Sequence, residues 1–409
     1  VNICILATGS LHSALPAEEL YTEVFKPYLS FLYEQPDYTC AFYFSGPQLS
    51  WLKQLHPECI QLMRELVVRK QIELLGGGYY NPVFPLLFPQ DRTGQLEMLT
   101  SEISHSVGKR PRGCMLYGSI WDSSIVPSLQ SCGMEYVVLD SSLLQEKQHC
   151  FVPLIVSEHG KLIKVLPAAS ELLPREGEAV PSLLTRIEEA VERTRHTALA
   201  GDARTVLLPF GLEQLVSLAK SGWLTDFFSA LKERDGFSVK LPLDCLHKGC
   251  ELLPAYVNAG LSSAIAKWAR VPYSPCEDAT VYPITVYDFL ASYPRNRALY
   301  NRILYISTLL SQTHGDKVRK QQAREHLWAA QTAEAIVCNP NGIFASNASR
   351  QNAYRHLTEA EKLLRDSSRK DFKETVTSYD YNCDGHAEYL CRMEHYTACI
   401  TGIQRDRRS

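Results

Sequence analysis

The stretch that decides the fold reads Gly113-Cys114-Met115-Leu116-Tyr117-Gly118-Ser119-Ile120-Trp121. Its apolar start predicts a short buried strand. A stretch with helical spacing at 124–132 and a second apolar strand at 135–140 follow it. A strand, a helix and another strand in this order are typical of a parallel sheet covered by helices.

The same alternation extends from residue 1 to about residue 215. The predicted strands are 2–7, 39–44, 72–75, 113–116, 136–139, 162–166 and 205–208. The predicted helices are 18–34, 57–69, 91–107, 181–195 and 214–234. Seven strands fit an incomplete (β/α)7 barrel, but the count alone also fits an open doubly wound sheet.

The chain changes character after the predicted sheet. Residues 243–279 are irregular, and helical patterns then cover 296–312, 318–338 and 350–367, with a break at Asn339-Pro340-Asn341-Gly342. A three-helix bundle is expected here, and strands from residue 375 to 403. We therefore predict three domains: a barrel at 1–250, a helical bundle at 251–370 and β strands at 371–409.

Four further motifs occur in a fixed order along the chain. They are Ser45-Gly46-Pro47, Gly77-Gly78-Tyr79-Tyr80-Asn81-Pro82-Val83, Pro89-Gln90-Asp91-Arg92 and Tyr293-Pro294-Arg295-Asn296. Together with residues 113–121 they resemble glycoside hydrolase family 57, the α-amylase and 4-α-glucanotransferase group. The resemblance covers nearly the whole chain. It implies the incomplete (β/α)7 barrel, and it implies that 371–409 opens a C-terminal β domain that is either truncated or packed on the bundle.

The resemblance also implies where two catalytic carboxyl groups should lie. Retaining glycoside hydrolysis needs a nucleophile and an acid/base about 5 Å apart. The family's nucleophile motif is close to Thr-Glu-Arg-Val-Trp, and Gly118 stands at its Glu. The acid/base motif is close to His-Asp-Asp-Gly-Glu, and Phe210 and Gly211 stand at its Asp positions. We expect neither catalytic group to be present.

Three supporting motifs are altered as well. The family's opening His-Asn-His-Gln-Pro motif corresponds to Thr8-Gly9-Ser10-Leu11-His12, and Asn81 replaces a Glu. In the bundle, Glu334-Ala335-Ile336-Val337-Cys338-Asn339 lacks the family's aromatic and histidine residues. Changes at five separate positions within a retained scaffold indicate an active site that no longer performs this chemistry.

Three carboxylates near the predicted strand ends keep an active alternative open. They are Asp122, Asp140 and Glu213. Asp122 or Asp140 could pair with Glu213 at the C-terminal face of the barrel, where such active sites lie. In the alternative interpretation, which we favour, Asp122 caps the following helix and Glu213 lies in the first turn of its helix.

Residual sugar binding would use side chains at the same face. The candidates are Tyr43, Tyr79, Tyr80, Asn81 and Trp121. Aromatic rings can stack on pyranose rings, but aromatic residues at strand ends also serve as packing. The sequence leaves these two roles open.

A separate motif near the end of the chain spaces oxygen ligands as calcium loops do. Asp380, Asn382, Asp384 and Glu388 alternate with other residues around Gly385. The Glu comes three residues earlier than in an EF-hand, as in shorter DxDxDG loops. We predict no cofactor; the motif leaves a structural calcium ion and a simple Asp/Gly turn open, and we favour the turn.

The composition of the chain limits which kinds of binding partner we expect. With 42 basic and 45 acidic residues the net charge is -3, which predicts neither nucleic-acid nor membrane binding. No apolar run is long enough for a spanning helix, and the 13 cysteines are scattered, so we expect a cytoplasmic protein with reduced cysteines. We predict an inactive α-glucan-binding or regulatory protein. An active enzyme with relocated carboxylates and a protein-interaction scaffold are the alternatives, and a homodimer stays open.

Overall fold

The computed structural model of the chain describes thirteen segments. They are residues 1–9, 16–145, 149–194, 204–246, 250, 252–269, 283–314, 316–339, 341–344, 346–367, 374–382, 385–393 and 396–400. The chain forms two compact units. The first comprises Val1–Pro85, Pro89–Lys267 and Ser274–Val286, and the second comprises Leu86–Phe88, Trp268–Tyr273 and Tyr287–Ser409. The division into three domains stays a prediction.

A parallel barrel forms the core of the first unit. Its strands are β1 (Asn2–Thr8), β2 (Cys40–Tyr43), β3 (Ile72–Leu75), β4 (Gly113–Met115), β5 (Tyr136–Asp140), β7 (Lys161–Ala168) and β8 (Thr205–Gly211). They pair in the order β4-β5-β7-β8-β1-β2-β3. These are the seven predicted strands, so the mixed α/β fold expected from the sequence is confirmed.

Two backbone hydrogen bonds join the ends of this order. Gly76 N donates to Gly113 O at 2.8 Å, and Met115 N donates to Gly76 O at 2.9 Å. They form a parallel bridge between Gly76 and Cys114, next to β3 and within β4. The sheet therefore closes, and the open doubly wound alternative is wrong. The pairing of β7 with β8 is also limited to one residue pair, Ala168 with Leu207.

Three short strands lie outside the predicted ones. They are β6 (Leu154–Glu158), β9 (Ser238–Val239) and β10 (Leu253–Pro254). β6 runs antiparallel to β7 through a tight turn at His159 and Gly160, whose φ angles are 47° and 72°. Two adjacent left-handed residues are typical of the two-residue hairpin turn. A hairpin was therefore readable from Glu158-His159-Gly160-Lys161.

The first unit also continues beyond residue 250, where we placed the end of the barrel domain. The reason is backbone pairing: β10 pairs with β6, and Gly260 forms an antiparallel bridge with Trp121. Residues that we predicted to be irregular and assigned to the bundle domain thus pair with the backbone of the first unit.

Helices surround the barrel strands along the chain. They are α1 (Ala17–Leu20), α2 (Lys26–Glu34), α3 (Gly46–Leu55), α4 (Pro57–Val68), α5 (Pro89–Val107), α6 (Val126–Ser131), α7 (Val180–Thr194), α8 (Leu212–Lys220), α9 (Trp223–Glu233) and α10 (Ser263–Ala266). A π-helical turn, Tyr21–Phe25, joins α1 to α2. The single helix predicted at 214–234 is two helices, because Gly222 has a φ of 79° and this left-handed conformation ends a helix.

The second unit is mainly helical. Its helices are α11 (Val286–Ser292), α12 (Pro294–Gln312), α13 (Lys317–Ala330), α14 (Ala333–Ile336) and α15 (Asn347–Ser367). The helix predicted at 318–338 ends earlier, and its last part is α14. Asn339 Oδ1 accepts hydrogen bonds from the backbone N–H groups of Asn341 and Ile343, which fixes the predicted break.

A small antiparallel sheet follows α15. Its strands are β11 (Thr375–Tyr379), β12 (Glu388–Arg392) and β13 (Thr397–Ile400). Leu390 is buried, and Thr397 Oγ1 donates to Glu361 Oε1 on α15 at 2.5 Å. The strand β13 is thus hydrogen-bonded to α15 of the bundle. Within the described segments, no helix has the length and apolar character needed to cross a membrane.

Candidate active site at the ends of the barrel strands

Gly118 lies in a single 3-10 turn, Tyr117–Ser119, directly after β4. Its φ and ψ are 54° and 20°, the left-handed conformation that favours glycine. A Cβ built on Gly118 would lie 2.1 Å from Cδ1 of Ile265. A side chain at this position would therefore have to displace the terminal methyl group of Ile265, whose side chain is fully buried.

Several backbone contacts hold Ile265 in place. Ile265 lies in α10, whose first residue, Ser263, donates its backbone N–H to Ser142 Oγ at 3.0 Å. Leu261 N donates to Ile284 O at 2.9 Å. The segment from Gly260 to α10 is thus tied down at both ends, so the contact of Ile265 with Gly118 is part of a fixed loop.

Trp121 follows in the same segment and is 1% exposed. Its indole Nε1 donates to Val257 O at 3.0 Å, and its ring packs in an apolar cluster with Leu139, Leu143 and Val257. The prediction that Trp121 faces a sugar is not supported, because the ring is covered by protein and its one polar group already has a partner.

Tyr43 and Asn81 form a buried polar pair. Tyr43 is 1% exposed and donates its hydroxyl to Asn81 Oδ1 at 3.0 Å. Burial raises the pKa of Tyr43, so its hydroxyl stays a neutral donor. Asn81 has a φ of 53°, and its Nδ2 has no hydrogen-bond partner within the described segments. Tyr43 thus orients the amide that replaces the family's Glu and does not itself offer a stacking surface.

The two consecutive tyrosines differ in their surroundings. Tyr79 is 9% exposed, its ring lies against Gly46, and its hydroxyl is 2.7 Å from Ser50 Oγ. A Cβ at Gly46 would lie 2.1 Å from the Tyr79 ring. Tyr79 is therefore packed against its neighbours, and of the two roles that the sequence leaves open its burial favours packing. Tyr80 is only partly buried and meets Tyr79 edge to face at 4.9 Å.

The end of β8 carries the predicted acid/base region. Phe210 is buried among the core residues, and its carbonyl oxygen accepts a hydrogen bond from Thr8 Oγ1 at 3.2 Å. Gly211 is exposed, and a Cβ there would meet nothing within 4 Å. Glu213 is exposed in the first turn of α8. Neither residue carries a carboxylate, as predicted. The Phe210 position is occupied by a buried ring, and the space beside Gly211 is open.

The two aspartates near Gly118 act as caps. Asp122 Oδ1 accepts from Ser124 N at 2.8 Å at the start of the turn Ser123–Ile125. Asp140 Oδ1 accepts from Ser142 N at 3.0 Å, and the hydroxyls of Ser142 and Ser170 also donate to this carboxylate. The capping interpretation of Asp122 is confirmed. The Asp140 carboxylate accepts from more donors than that of Asp122, and the Asp140 backbone N–H donates to Ser119 Oγ, next to Gly118, at 3.0 Å.

In the second unit, Glu334 occupies the first turn of α14. Burial raises its pKa to about 7, because desolvation disfavours the charged form. Cys338 and Asn339, at the end of the same family motif, are buried. This segment is therefore packed in the interior of its unit, apart from a partly exposed Glu334 side chain.

The proposed calcium loop is partly described. Glu388 is 2% exposed, and its two oxygens accept from Tyr381 N at 2.8 Å and from Asn382 Nδ2 at 2.6 Å. Asp380 Oδ2 accepts from Gly385 N at 3.0 Å. These bonds are those of a side-chain-stabilised turn and favour the turn alternative. Asp384 of this motif lies outside the described residues. His12, from the loop after β1, also lies outside them.

Ile265 is the residue at this site that the sequence analysis missed. It lies in a stretch that we read as irregular, and a lone isoleucine in such a stretch carries no functional signal. The backbone pairing of Gly260 with Trp121, far apart in sequence, brings this loop to Gly118.

The closed parallel barrel defines the class of the first unit as a (β/α) barrel with seven parallel strands. Residues 10–178 match the sequence profile of glycosyl hydrolase family 57. Together with the relatives described next, this match confirms the resemblance to that family.

Relatives with known names extend the similarity. Alpha-amylase 1 of Dictyoglomus thermophilum is 25% identical over 94% of this chain and 58% of its own length. A 4-alpha-glucanotransferase of Thermococcus litoralis is 24% identical over 94% of this chain and 59% of its own length. The chain thus spans about three fifths of the length of these relatives.

Solved structures show the same fold. The crystal structure of 4-alpha-glucanotransferase from Thermococcus litoralis superposes with a TM-score of 0.77 at 22% identity, covering 98% of this chain and 64% of that chain. A family 57 branching enzyme from Pyrococcus horikoshii gives a TM-score of 0.64 at 13% identity, covering 91% and 92%. At these identities the superpositions establish the fold alone.

Proposed function

We propose that this chain is a catalytically inactive relative of the α-glucan-acting family 57 enzymes and that it binds or regulates the use of an α-glucan. The observation that carries the proposal is the contact between Gly118 and Ile265. The nucleophile position has no side chain, and its backbone conformation and its neighbour both oppose one.

The chemistry requires more than binding. A retaining mechanism needs one carboxylate to attack the anomeric carbon and a second carboxyl group to protonate the leaving oxygen. At the first position Ile265 fills the space, and at the second Phe210 is buried in the core. Glycine and phenylalanine carry neither a nucleophilic nor an acidic group, so Gly118 and Phe210 can perform neither step.

One observation favours a second candidate function, that of a protein-interaction scaffold. Tyr43, Tyr79 and Trp121 are buried, so the strand ends offer fewer stacking surfaces than a sugar cleft of this family would need. Names of relatives support the α-glucan ligand, since they are amylases and 4-alpha-glucanotransferases. We therefore keep α-glucan binding as the first proposal and the scaffold as the second.

The relocated-carboxylate alternative rests on Asp122, Asp140 and Glu213. Asp122 and Asp140 each accept hydrogen bonds from their own turns, which is a structural role.

We further propose a cytoplasmic location. Size-exclusion chromatography with light scattering would decide between a monomer and a homodimer.

A single pair of assays separates these functions. Maltoheptaose is incubated with the protein and its products are analysed, while binding of maltoheptaose is measured by calorimetry. Binding without turnover is the expected result. Turnover at enzymatic rates of ~1 to 10³ per second would overturn inactivity, and loss of that turnover in Asp140→Asn or Glu213→Gln would identify relocated carboxylates. Neither binding nor turnover would favour the scaffold.

A further inference from the structure

A cavity of about 550 Å³ lies on the outer wall of the barrel, against the face of α8. One side is the loop at 174–179, between β7 and α7, and the other is formed by α8 and the first residue of α9, Trp223. Its volume lies within the ~300–1,000 Å³ typical of small-ligand sites. None of the residues predicted to bind sugar lines it.

The α8 side of the cavity is a regular polar stripe. Gln214 and Ser217 on α8 and Ser221 just after its end line the cavity at helical spacing, together with the partly buried Leu218. The Ser221 hydroxyl donates to Leu218 O at 3.0 Å, so it would meet a ligand as an acceptor. Residues three and four apart share one helix face. Amide and hydroxyl groups are both donors and acceptors, so this face suits a ligand with many hydroxyl groups.

The loop side is held rigidly although most of its residues are exposed. Arg186 donates to both oxygens of Glu178 and to the carbonyl oxygens of Glu171 and Leu173. Glu178 Oε2 also accepts from Arg175 N at 2.9 Å. The Arg186 guanidinium lowers the pKa of Glu178, so this ion pair persists at neutral pH. A binding wall that is already fixed loses little conformational entropy when a ligand binds.

Trp223 completes the wall. Its indole Nε1 donates to Glu178 O at 2.8 Å, and Phe227 stacks on the indole at 5.2 Å with an interplanar angle of 13°. The hydrogen bond and the stacked ring fix the orientation of an indole that remains partly exposed in the cavity. An oriented, partly exposed aromatic ring is the kind of surface that the buried Trp121 does not supply.

The charges of the cavity point to a neutral ligand. Arg175 and Glu176 carry opposite charges and lie on the same loop, and Glu178 is compensated by Arg186. The wall therefore presents no net charge to attract a phosphate or a cation. An oligosaccharide is uncharged, its hydroxyl groups can hydrogen-bond to the polar stripe, and its pyranose rings can stack on the indole.

We propose that this cavity is an α-glucan-binding site on the outer wall of the barrel, with Trp223 as the stacking surface and Gln214, Ser217 and Ser221 as hydrogen-bonding groups. The assignment of the ligand as an α-glucan rests on the proposed function. The position of the site rests on the cavity, the fixed loop and the oriented indole, and it is separate from Gly118 and Ile265.

Calorimetry with maltoheptaose tests the site in the full chain. Two variants disrupt the proposed site in different ways. Trp223→Ala deletes the aromatic ring. Ser217→Trp fills the cavity from an exposed position, and the structure shows no hydrogen bond of the Ser217 side chain that this change would remove. Ser229→Trp on α9, also exposed and away from the cavity, is the matched control. Circular dichroism and thermal melting establish that each variant is folded.

We expect Trp223→Ala and Ser217→Trp each to weaken maltoheptaose binding ~10-fold or more, with Ser229→Trp unchanged. Wild-type affinity in Ser217→Trp would overturn the site even if Trp223→Ala failed to fold, and it would leave the proposed function intact. If the wild-type protein binds no maltoheptaose, the proposed glucan function itself is wrong. The two failures are thus distinguishable.

Discussion

Ile265 Cδ1 lies 2.1 Å from the point where a Cβ on Gly118 would be placed. The two residues are far apart in sequence, and they meet because the loop before α10 pairs with Trp121. Glycine at 118 is therefore favoured by its φ of 54°, and any larger residue would also have to displace the terminal methyl group of Ile265.

The first prediction concerns the stability of Gly118→Ala. Alanine there must adopt a left-handed backbone and displace Ile265, so we expect the free energy of unfolding to fall by about 2–4 kcal/mol. Denaturant unfolding followed by circular dichroism measures the change.

Two other glycines separate the two causes. Gly133 has a φ of 79° but open space around its Cβ position, so Gly133→Ala should cost only about 1 kcal/mol. Gly211 has ordinary backbone angles and open space, so Gly211→Ala should be close to neutral. Equal costs at 118 and 133 would show that Ile265 yields freely, contrary to our interpretation.

The second prediction is that Gly118→Glu combined with Gly211→Asp does not restore hydrolysis. The new Glu side chain would meet Ile265. Thr8, Asn81 and Phe210 would still stand where the resemblance implies polar or acidic side chains, so the groups that support catalysis would still be missing. Misplacement of a catalytic group by about 1 Å can itself cost ~10²-fold. Product analysis with maltoheptaose checks this, and ordinary turnover in the double variant would mean that the remaining site is intact.

The third prediction compares the two capping aspartates. Asp140 accepts from a backbone N–H and two serine hydroxyls, whereas Asp122 accepts from the backbone N–H of Ser124. Asp140→Ala should therefore destabilise the protein more than Asp122→Ala, by about 2 against about 1 kcal/mol. Thermal melting ranks the two variants. The reverse order would argue against a structural role for the Asp140 carboxylate.

The fourth prediction follows from Glu334. Its pKa is raised from 4.5 to about 7 in the folded protein, so the folded state binds the proton more tightly than the unfolded state. The stabilisation that the protonated Glu334 carboxyl group contributes to the folded state is fully present below pH 4.5 and is lost as the pH rises through about 7. Glu334→Gln imitates the protonated form, and it should raise stability at about pH 8 by ~1–3 kcal/mol while changing little at about pH 5.

The control for Glu334 is Glu325→Gln on α13, because Glu325 is an exposed glutamate of the same unit. Thermal melting at the two pH values should show a pH-dependent gain for Glu334→Gln that Glu325→Gln lacks. A gain of equal size at both pH values would contradict the assignment of a raised pKa.

The fifth prediction concerns calcium. Both Glu388 oxygens already accept hydrogen bonds from Tyr381 and Asn382, so we expect the turn to need no ion and added calcium to leave the melting temperature unchanged. A rise with calcium that Asp384→Ala or Asp380→Ala abolishes would instead support the calcium loop.

Much of the barrel was readable from local sequence. Buried parallel strands are continuous apolar runs, which is why β3 was predicted with its observed bounds and β1, β4 and β5 to within a residue or two. The break at Gly222 and the β6 hairpin were missed although their signals, a Gly and a His-Gly turn, are local. Glycine punctuates helices too weakly to locate every break from sequence alone.

The sequence by itself determined which side chains are absent, because Gly118, Phe210 and Gly211 carry no carboxylate in any fold. Whether the vacated space is open or filled depends on residues distant in the chain, and only the tertiary structure brings Ile265 against Gly118. The same holds for the aromatic residues. Their types are visible in the sequence, but the burial of Trp121 and the partial exposure of Trp223 depend on how loops pack around them, and local periodicity carries no information about such long-range contacts.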